Sequence, residues 1–199
     1  MNDSHDRGRD DGSPGDREDS ALVERIAAGD RAALARLYSR HHAKVYRFIR
    51  RFEQNEANAE DLANDVFIDI WLQASRFEGR SKVTSWILGM ARFKALSARR
   101  GQRQVVDPDE ALGEMDDGRD TPEIVVQKTD KGAALKRCIA RLPEEHRVVV
   151  DLVYYHEMSV AEVSAILQVP ENTVKTRMFN ARKKLSAMME QAGIDRGWP

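Results

Sequence analysis

Asp61, Asp65 and Asp69 recur at every fourth residue in DLANDVFIDIW, so on a helix their carboxylates line one stripe. Like charges at that spacing repel by roughly 0.2–0.5 kcal/mol per neighbouring pair. Such a row either offers itself to a cationic partner or is neutralised internally, and Arg47, Arg50 and Arg51 just upstream are candidates for the internal role. A second group of charges has the opposite sign. PENTVKTRMFNARKKL, residues 170–185, sets Lys175, Arg177, Arg182, Lys183 and Lys184 against the single acid Glu171. On a helix, Val174, Met178, Ala181, Leu185 and Met188 form one narrow apolar stripe. At 100° per residue the opposite side carries Asn172, Lys175, Thr176, Phe179 and Lys183, with Arg177, Arg182 and Lys184 on the flanks. That division suits a helix in a DNA major groove, polar residues meeting base edges and flanking cations meeting phosphates. The plainer alternative is a solvated basic face.

A third group lies in SKVTSWILGMARFKALSARRGQR, where Lys82, Arg92, Lys94, Arg99, Arg100 and Arg103 stand without an acid. Arg92, Arg99 and Arg103 share one helical side and Val83, Ile87 and Met90 another. A cationic face interleaved with aromatics is what opened DNA needs, because phosphates supply affinity and exposed bases stack on rings. Phe77, Trp86 and Phe93 are near enough to serve, although Trp86 at helical spacing reads first as a core residue.

Catalytic and metal chemistry find little support. His41 and His42 are adjacent, so on a helix their side chains diverge by about 100° and do not pair as ligands. Cys138 is the sole cysteine, which excludes an internal disulfide and suits a reducing compartment, and no motif sets a base beside it. No metal or cofactor is expected.

The elements that must carry these groups are helical. Residues 1–19 are mostly Asp, Gly, Arg and Ser and read as a disordered acidic tail. ALVERIAA closes at Gly29, Asp30 caps a long amphipathic helix, Asn58 is placed to cap AEDLANDVFIDIWLQASRF, and KVTSWILGMARFKALSARR runs to Gly101. Four helices over residues 20–103 make one bundle. Residues 104–134, with Pro108, Pro122 and nine acids, read as a flexible linker. The second unit, residues 135–190, starts with ALKRCIARL, breaks at Pro143 and resumes in EEHRVVVDLVYYHE, where the β-prone VVVDLVYY also fits a buried helix. Ser159 and Glu162 form a capping box, Gln168 and Val169 a tight turn, and Pro170 opens the next helix. Residues 191–199 form a short tail. The expected fold is all-α, with two small helical domains on a flexible tether.

Net charge, −1 over 199 residues, conceals an alternation. Residues 1–20 carry three Lys/Arg against seven Asp/Glu, residues 21–103 sixteen against nine, residues 104–134 three against nine, and residues 135–199 ten against eight. Two basic modules are thus preceded and joined by acidic segments, a pattern compatible with nucleic acid. No apolar run approaches about 18 residues, so membrane insertion is not expected and a cytoplasmic protein is.

LPEEHRVVVDLVYYHEMSVAEVSAILQVPENTVKTRMFNARKKL resembles the C-terminal helix-turn-helix domain of bacterial RNA polymerase sigma factors of the extracytoplasmic-function (ECF) group within the sigma-70 family. GDRAALARLY, AEDLANDVFIDIW and the F-x-G-x-S-x-V-x-S-W run from Phe77 to Trp86 resemble the same family's N-terminal domain. The resemblance implies a sigma-2-like unit over residues 20–103 and a sigma-4-like unit over residues 135–190. Asp61, Asn64, Asp65 and Asp69 would then face the clamp of core RNA polymerase, Asn64 standing where Gln is usual. Phe77, Arg80, Lys82, Arg92, Arg99 and Arg103 would meet the minus-ten element, within or beside a loop from Phe77 to Ser85 that holds a flipped base. Phe93 and Ser97 stand where many members carry Asn and Asp. Glu171, Asn172, Lys175, Thr176, Arg177, Phe179, Arg182 and Lys183 would read the minus-thirty-five element. An alternative sigma factor, monomeric when free, without catalysis of its own and held by an anti-sigma partner in a stress or envelope response, is the function so implied. A helix-turn-helix regulator with an N-terminal sensing or dimerisation bundle is the rival reading.

Overall fold

The computed structural model describes residues 14–105 and 129–191. Residues 1–13 of the expected tail, the middle of the expected linker and residues 192–199 of the expected C-terminal tail lie outside the described residues. Eight α-helices, one 3-10 turn and one π turn make up the described elements, with no β-strand among them.

Helix α1 (Pro14–Ala27) buries Asp19, Leu22, Val23 and Ile26, one stripe at helical spacing. Gly29, at φ +89°, turns the chain where other residues would be strained. Asp30 then caps α2 (Arg31–Ile49), accepting N–H bonds from Ala32 at 2.8 Å and Ala33 at 3.1 Å, and also pairs with Arg25. Leu37, His41, Val45 and Phe48 on α2 face α1, α3 and α4. Helix α3 (Glu56–Gln73) buries Ala59, Ala63, Val66, Phe67 and Ile70 and ends in a 3-10 turn, Ala74–Arg76. Helix α4 (Val83–Val105) buries Val83, Ile87, Leu88, Ala91 and Ala95.

The second unit begins with α5 (Thr129–Ala140) and α6 (Glu144–Val150). Pro143 fits the start of α6, since its missing N–H is not needed there and its carbonyl accepts from His146 and Arg147. Val148, Val149, Val150 and Leu152 are all buried, the last within the π turn Asp151–Tyr155. The β-prone run is helical, and its burial on successive residues fits a buried helical segment. Helix α7 (Val160–Leu167) opens with the Ser159–Glu162 capping box, and Gln168 closes it in the left-handed region at φ 53°. Helix α8 (Glu171–Gln191) lays Val174, Met178, Ala181 and Leu185 against α5, α6 and α7.

Four expectations are corrected. Residues 14–19, assigned to the acidic tail, form the start of α1, because Asp19 is neutralised by partners far along the chain. The N-cap of α3 is Asn55, whose side chain accepts the N–H of Asn58. Helix α4 passes through Gly101, which keeps an ordinary φ on an exposed turn, and the roughly 1 kcal/mol cost of a helical glycine is borne by the rest of the helix. Helix α5 starts at Thr129, inside the expected linker.

Asp19 shows how α1 is held. Its Oδ1 accepts from Arg40 Nε at 2.6 Å and its Oδ2 lies 2.6 Å from His41 Nε2, with the carboxylate only 4% exposed. Burial pushes this carboxyl's pKa up, but hydrogen bonds and charges from His41 and then Arg40 outweigh burial and hold it below the ordinary range. A carboxylate lowered on folding stabilises the fold above its unfolded pKa of about 3.9 and loses that contribution as pH falls through the lowered value. Asp19→Asn should cost about 3 kcal/mol at neutral pH, shrinking at acid pH, because it breaks a buried pair. Thermal melts across that range check this, and a pH-independent cost would contradict it.

The two units are in contact rather than separate. α4 packs on α7, and the ring of Phe48 on α2 meets His156 edge-on at 6.0 Å. No described helix is long and apolar enough to cross a membrane.

Candidate polymerase and nucleic-acid interfaces

The carboxylate row is real as a surface and unequal along its length. Asp61 and Asp65 are exposed, whereas Asp69 is half-buried and takes Lys94 Nζ from α4 at 3.1 Å, with Asp65 at 3.6 Å from the same ammonium. The upstream arginines are used elsewhere. Arg47 donates to the Ala43 carbonyl, Arg50 to the Gln54 carbonyl and Glu56, and Arg51 to Asp151 of the second unit. Lys94, not α2, supplies the internal neutralisation. Asn64 faces inward, its Oδ1 accepting from Tyr38 Oη at 3.0 Å and tying α3 to α2.

Two residues complete this surface. Ile68 and Leu72 are 56% and 67% exposed and lie seven and eleven residues after Asp61. With Asp61 and Asp65 they fall within an arc of about 60°. Large exposed aliphatics beside carboxylates suit a protein partner, to which the apolar groups would give affinity and the acids orientation.

On α4 and the loop before it, Phe77 packs on Trp86 with ring centroids 4.9 Å apart, so both rings support the loop. Gly79, at φ +67°, turns that loop, and Arg80 at its tip pairs with Glu78. Lys82 Nζ lies 3.6 Å from Glu162, and Arg99 bonds Glu144 at 2.6 Å, both acids belonging to the second unit. Arg92 is partly buried, and desolvation followed by the nearby charge of Arg177 lowers its pKa. Arg103 lies on α4, its side chain outside the described residues. Phe93 is the exposed ring of this face, and a 710 Å³ groove beside it is lined by Trp86, Met90 and Ile166.

Helix α8 divides as its periodicity requires. Glu171, Asn172, Lys175, Thr176, Phe179 and Lys183 are exposed opposite the buried stripe, Phe179 at 67%. Thr176 donates to the Asn172 carbonyl, and Lys175 sits 3.8 Å from Glu171. The flanks are more committed. Arg177 pairs with Glu145 at 3.0 Å, and Arg182 Nε donates to Tyr154 Oη at 3.0 Å. Ser164 fixes the tight turn by donating to the Val169 carbonyl at 2.6 Å.

The family model for sigma-70 region 2 matches residues 37–105, and that for sigma-70 region 4 matches residues 132–185. RpoE of Cereibacter sphaeroides, an ECF RNA polymerase sigma factor, is 30% identical over 161 residues, covering 80% of this chain and 88% of its own. The chain belongs to the ECF RNA polymerase sigma factors. The sigma-H factor of Pseudomonas aeruginosa is 26% identical over 87% of this chain and 94% of its own. Among solved structures, CnrH in complex with the cytosolic domain of CnrY has the same fold, with TM-score 0.63 and 22% identity over 87% of this chain and 98% of that one. RpoE of Bartonella quintana, in complex with the anti-sigma factor NepR, has TM-score 0.64 and 21% identity over 81% and 98%.

In this sigma factor the region 2 match ends where α4 ends, and the region 4 match spans α5 to Leu185 of α8. Ile68 and Leu72 escaped the sequence reading, yet a signal existed: both are out of phase with the buried Ala63, Val66, Phe67 and Ile70 and in phase with Asp61. The pairings of Glu144, Asp151 and Glu162 with the first unit escaped it too, because their partners lie far away in sequence.

Proposed function

We propose that the chain is an alternative sigma factor that binds core RNA polymerase, directs it to promoters and helps open the DNA. The observation that carries this reading is the pairing of two surfaces on one chain: a mixed acidic and apolar face on α3 and a helix-turn-helix with a polar outward face on α8. The first suits a protein partner and the second a DNA groove. Asp61 and Asp65, with Ile68 and Leu72, contact the polymerase clamp; Asp69 and Asn64 shape that face from behind. The loop from Phe77 to Ser85 and the cations Arg80, Lys82, Arg92, Arg99 and Arg103 act at the minus-ten element. Glu171, Asn172, Lys175, Thr176, Phe179 and Lys183 read the minus-thirty-five element, with Arg177 and Arg182 at phosphates.

The chain contributes recognition and melting, no catalytic step of its own, and works in the cytoplasm, where core polymerase and promoters are. The Bartonella relative's partner is an anti-sigma factor, and that likeness supports control of this chain by a partner of the same kind.

A stand-alone regulator would bind palindromic sites as a dimer without polymerase. Analytical ultracentrifugation with and without core polymerase separates the two. The sigma reading requires a monomer that co-sediments with core and gains sequence-specific DNA binding only in that complex. Dimers that bind DNA specifically without core would refute it.

A further inference from the structure

Three ion pairs between the two units share one polarity. Arg51 Nε and Nη2 both bond Asp151 Oδ1, at 3.0 and 2.7 Å. Arg99 Nη1 bonds Glu144 at 2.6 Å. Lys82 Nζ lies 3.6 Å from Glu162, which also accepts from Ser85 Oγ at 3.1 Å. In these three pairs the cation comes from the first unit and the carboxylate from the second. Lys82 and Arg99 belong to the face assigned to opened DNA, so in this closed form two of its cations are occupied.

The acids are held in place by the second unit's own fold. Glu162 is half of a capping box: its carboxylate accepts from the Ser159 N–H and hydroxyl, both at 2.8 Å, before it meets the first unit. Asp151 is 3% exposed in the π turn. One like-charge pair opposes closure. Arg92 on α4 lies near enough to Arg177 on α8 for the like charges to repel.

We propose that these three carboxylates stand in for nucleic-acid phosphates and latch the free chain closed, so that promoter DNA must displace the second unit from the first. The proposal rests on the sigma reading for the identity of the ligand. Geometry requires the opening. In the closed form α4 and α8 are both packed on α7, which puts them at most two helix spacings, or roughly 20 Å, apart. The minus-ten and minus-thirty-five elements lie about 25 base pairs apart, roughly 85 Å along B-form DNA. One closed molecule cannot engage both.

The test uses the full chain with Cys138→Ala and dye-bearing cysteines at Ala57→Cys and Ser186→Cys, exposed positions on α3 and α8. Energy transfer between the dyes is compared with and without Glu144→Gln, Asp151→Asn and Glu162→Gln; a glutamine at position 162 still completes the capping box. Without polymerase, the triple variant should lose transfer and bind short mixed-sequence single-stranded DNA on the order of tenfold more tightly. Freeing Lys82 and Arg99 should steepen the salt dependence of that binding by about 1.4. Glu18→Gln, Glu56→Gln and Glu60→Gln together remove the same charge from pairs inside the first unit and should leave transfer unchanged. Raising salt should also lower transfer in the protein without these charge changes, which decides the matter if the triple variant fails to fold. Transfer insensitive to both the three substitutions and salt would overturn the latch. Run-off transcription with core polymerase separates the two readings: opening without any transcripts from either protein would leave the latch standing and remove the sigma assignment.

Discussion

Ile68→Asp combined with Leu72→Asp should weaken binding to core RNA polymerase by at least about 100-fold while leaving the fold intact. Both side chains are more than half exposed on α3, so their loss costs the isolated protein no more than about 0.5 kcal/mol. At an interface the same aliphatics are the kind of central contacts worth about 1–2 kcal/mol each, and two carboxylates in their place add an unpaired buried charge. Asp61→Asn with Asp65→Asn should behave differently, slowing association and reducing its salt dependence more than it raises the dissociation rate. Surface-immobilised core and a thermal melt of each variant measure both effects. Unchanged affinity in the aspartate pair, with an unchanged melting temperature, would remove α3 as the polymerase-binding face.

The second large effect concerns α8. Lys175→Ala should alter preference at one position of the minus-thirty-five element by about 1–3 kcal/mol, since an exposed cation opposite the buried stripe is placed for a base edge. Arg182→Ala should instead weaken all sequences alike and lower the salt slope by about one. Tyr154 holds the Arg182 side chain by a hydrogen bond and by its ring, 6.0 Å from the guanidinium, so Arg182 would reach a phosphate already oriented. Tyr154→Phe keeps the ring, removes the hydrogen bond and should show a smaller loss of the same uniform kind. Competition binding of the polymerase complex across a randomised minus-thirty-five element checks all three. Identical preferences and salt slopes for Lys175→Ala and Arg182→Ala would refute the division of the helix.

Much of this was legible in the sequence because it is local. Asp30 as a cap, the Ser159–Glu162 box and the stripe Val174, Met178, Ala181, Leu185 need only spacing and side-chain chemistry, and each appears where the pattern set it. The misread features depend on distant partners. Asp19 counted as part of an acidic tail until Arg40 and His41, more than twenty residues on, accounted for its burial. The carboxylate row was open between partner and internal pairing; the structure splits it, Asp69 going to Lys94 and Asp61 remaining exposed. Ile68 and Leu72 were hidden because α3 is apolar on more than one side, and only burial separates its core stripe from its exposed one. Closure of the two units was illegible for the same reason: Arg51 and Asp151 are a hundred residues apart.

The central claim is that this chain confers promoter specificity on core RNA polymerase. Run-off transcription from a genomic fragment library, with purified core and the full chain, tests it most directly. The expected result is a small set of discrete starts absent with core alone, sharing two upstream elements, and lost with Ile68→Asp and Leu72→Asp together. Starts identical to those of core alone, from a chain that is folded and binds DNA, would contradict it.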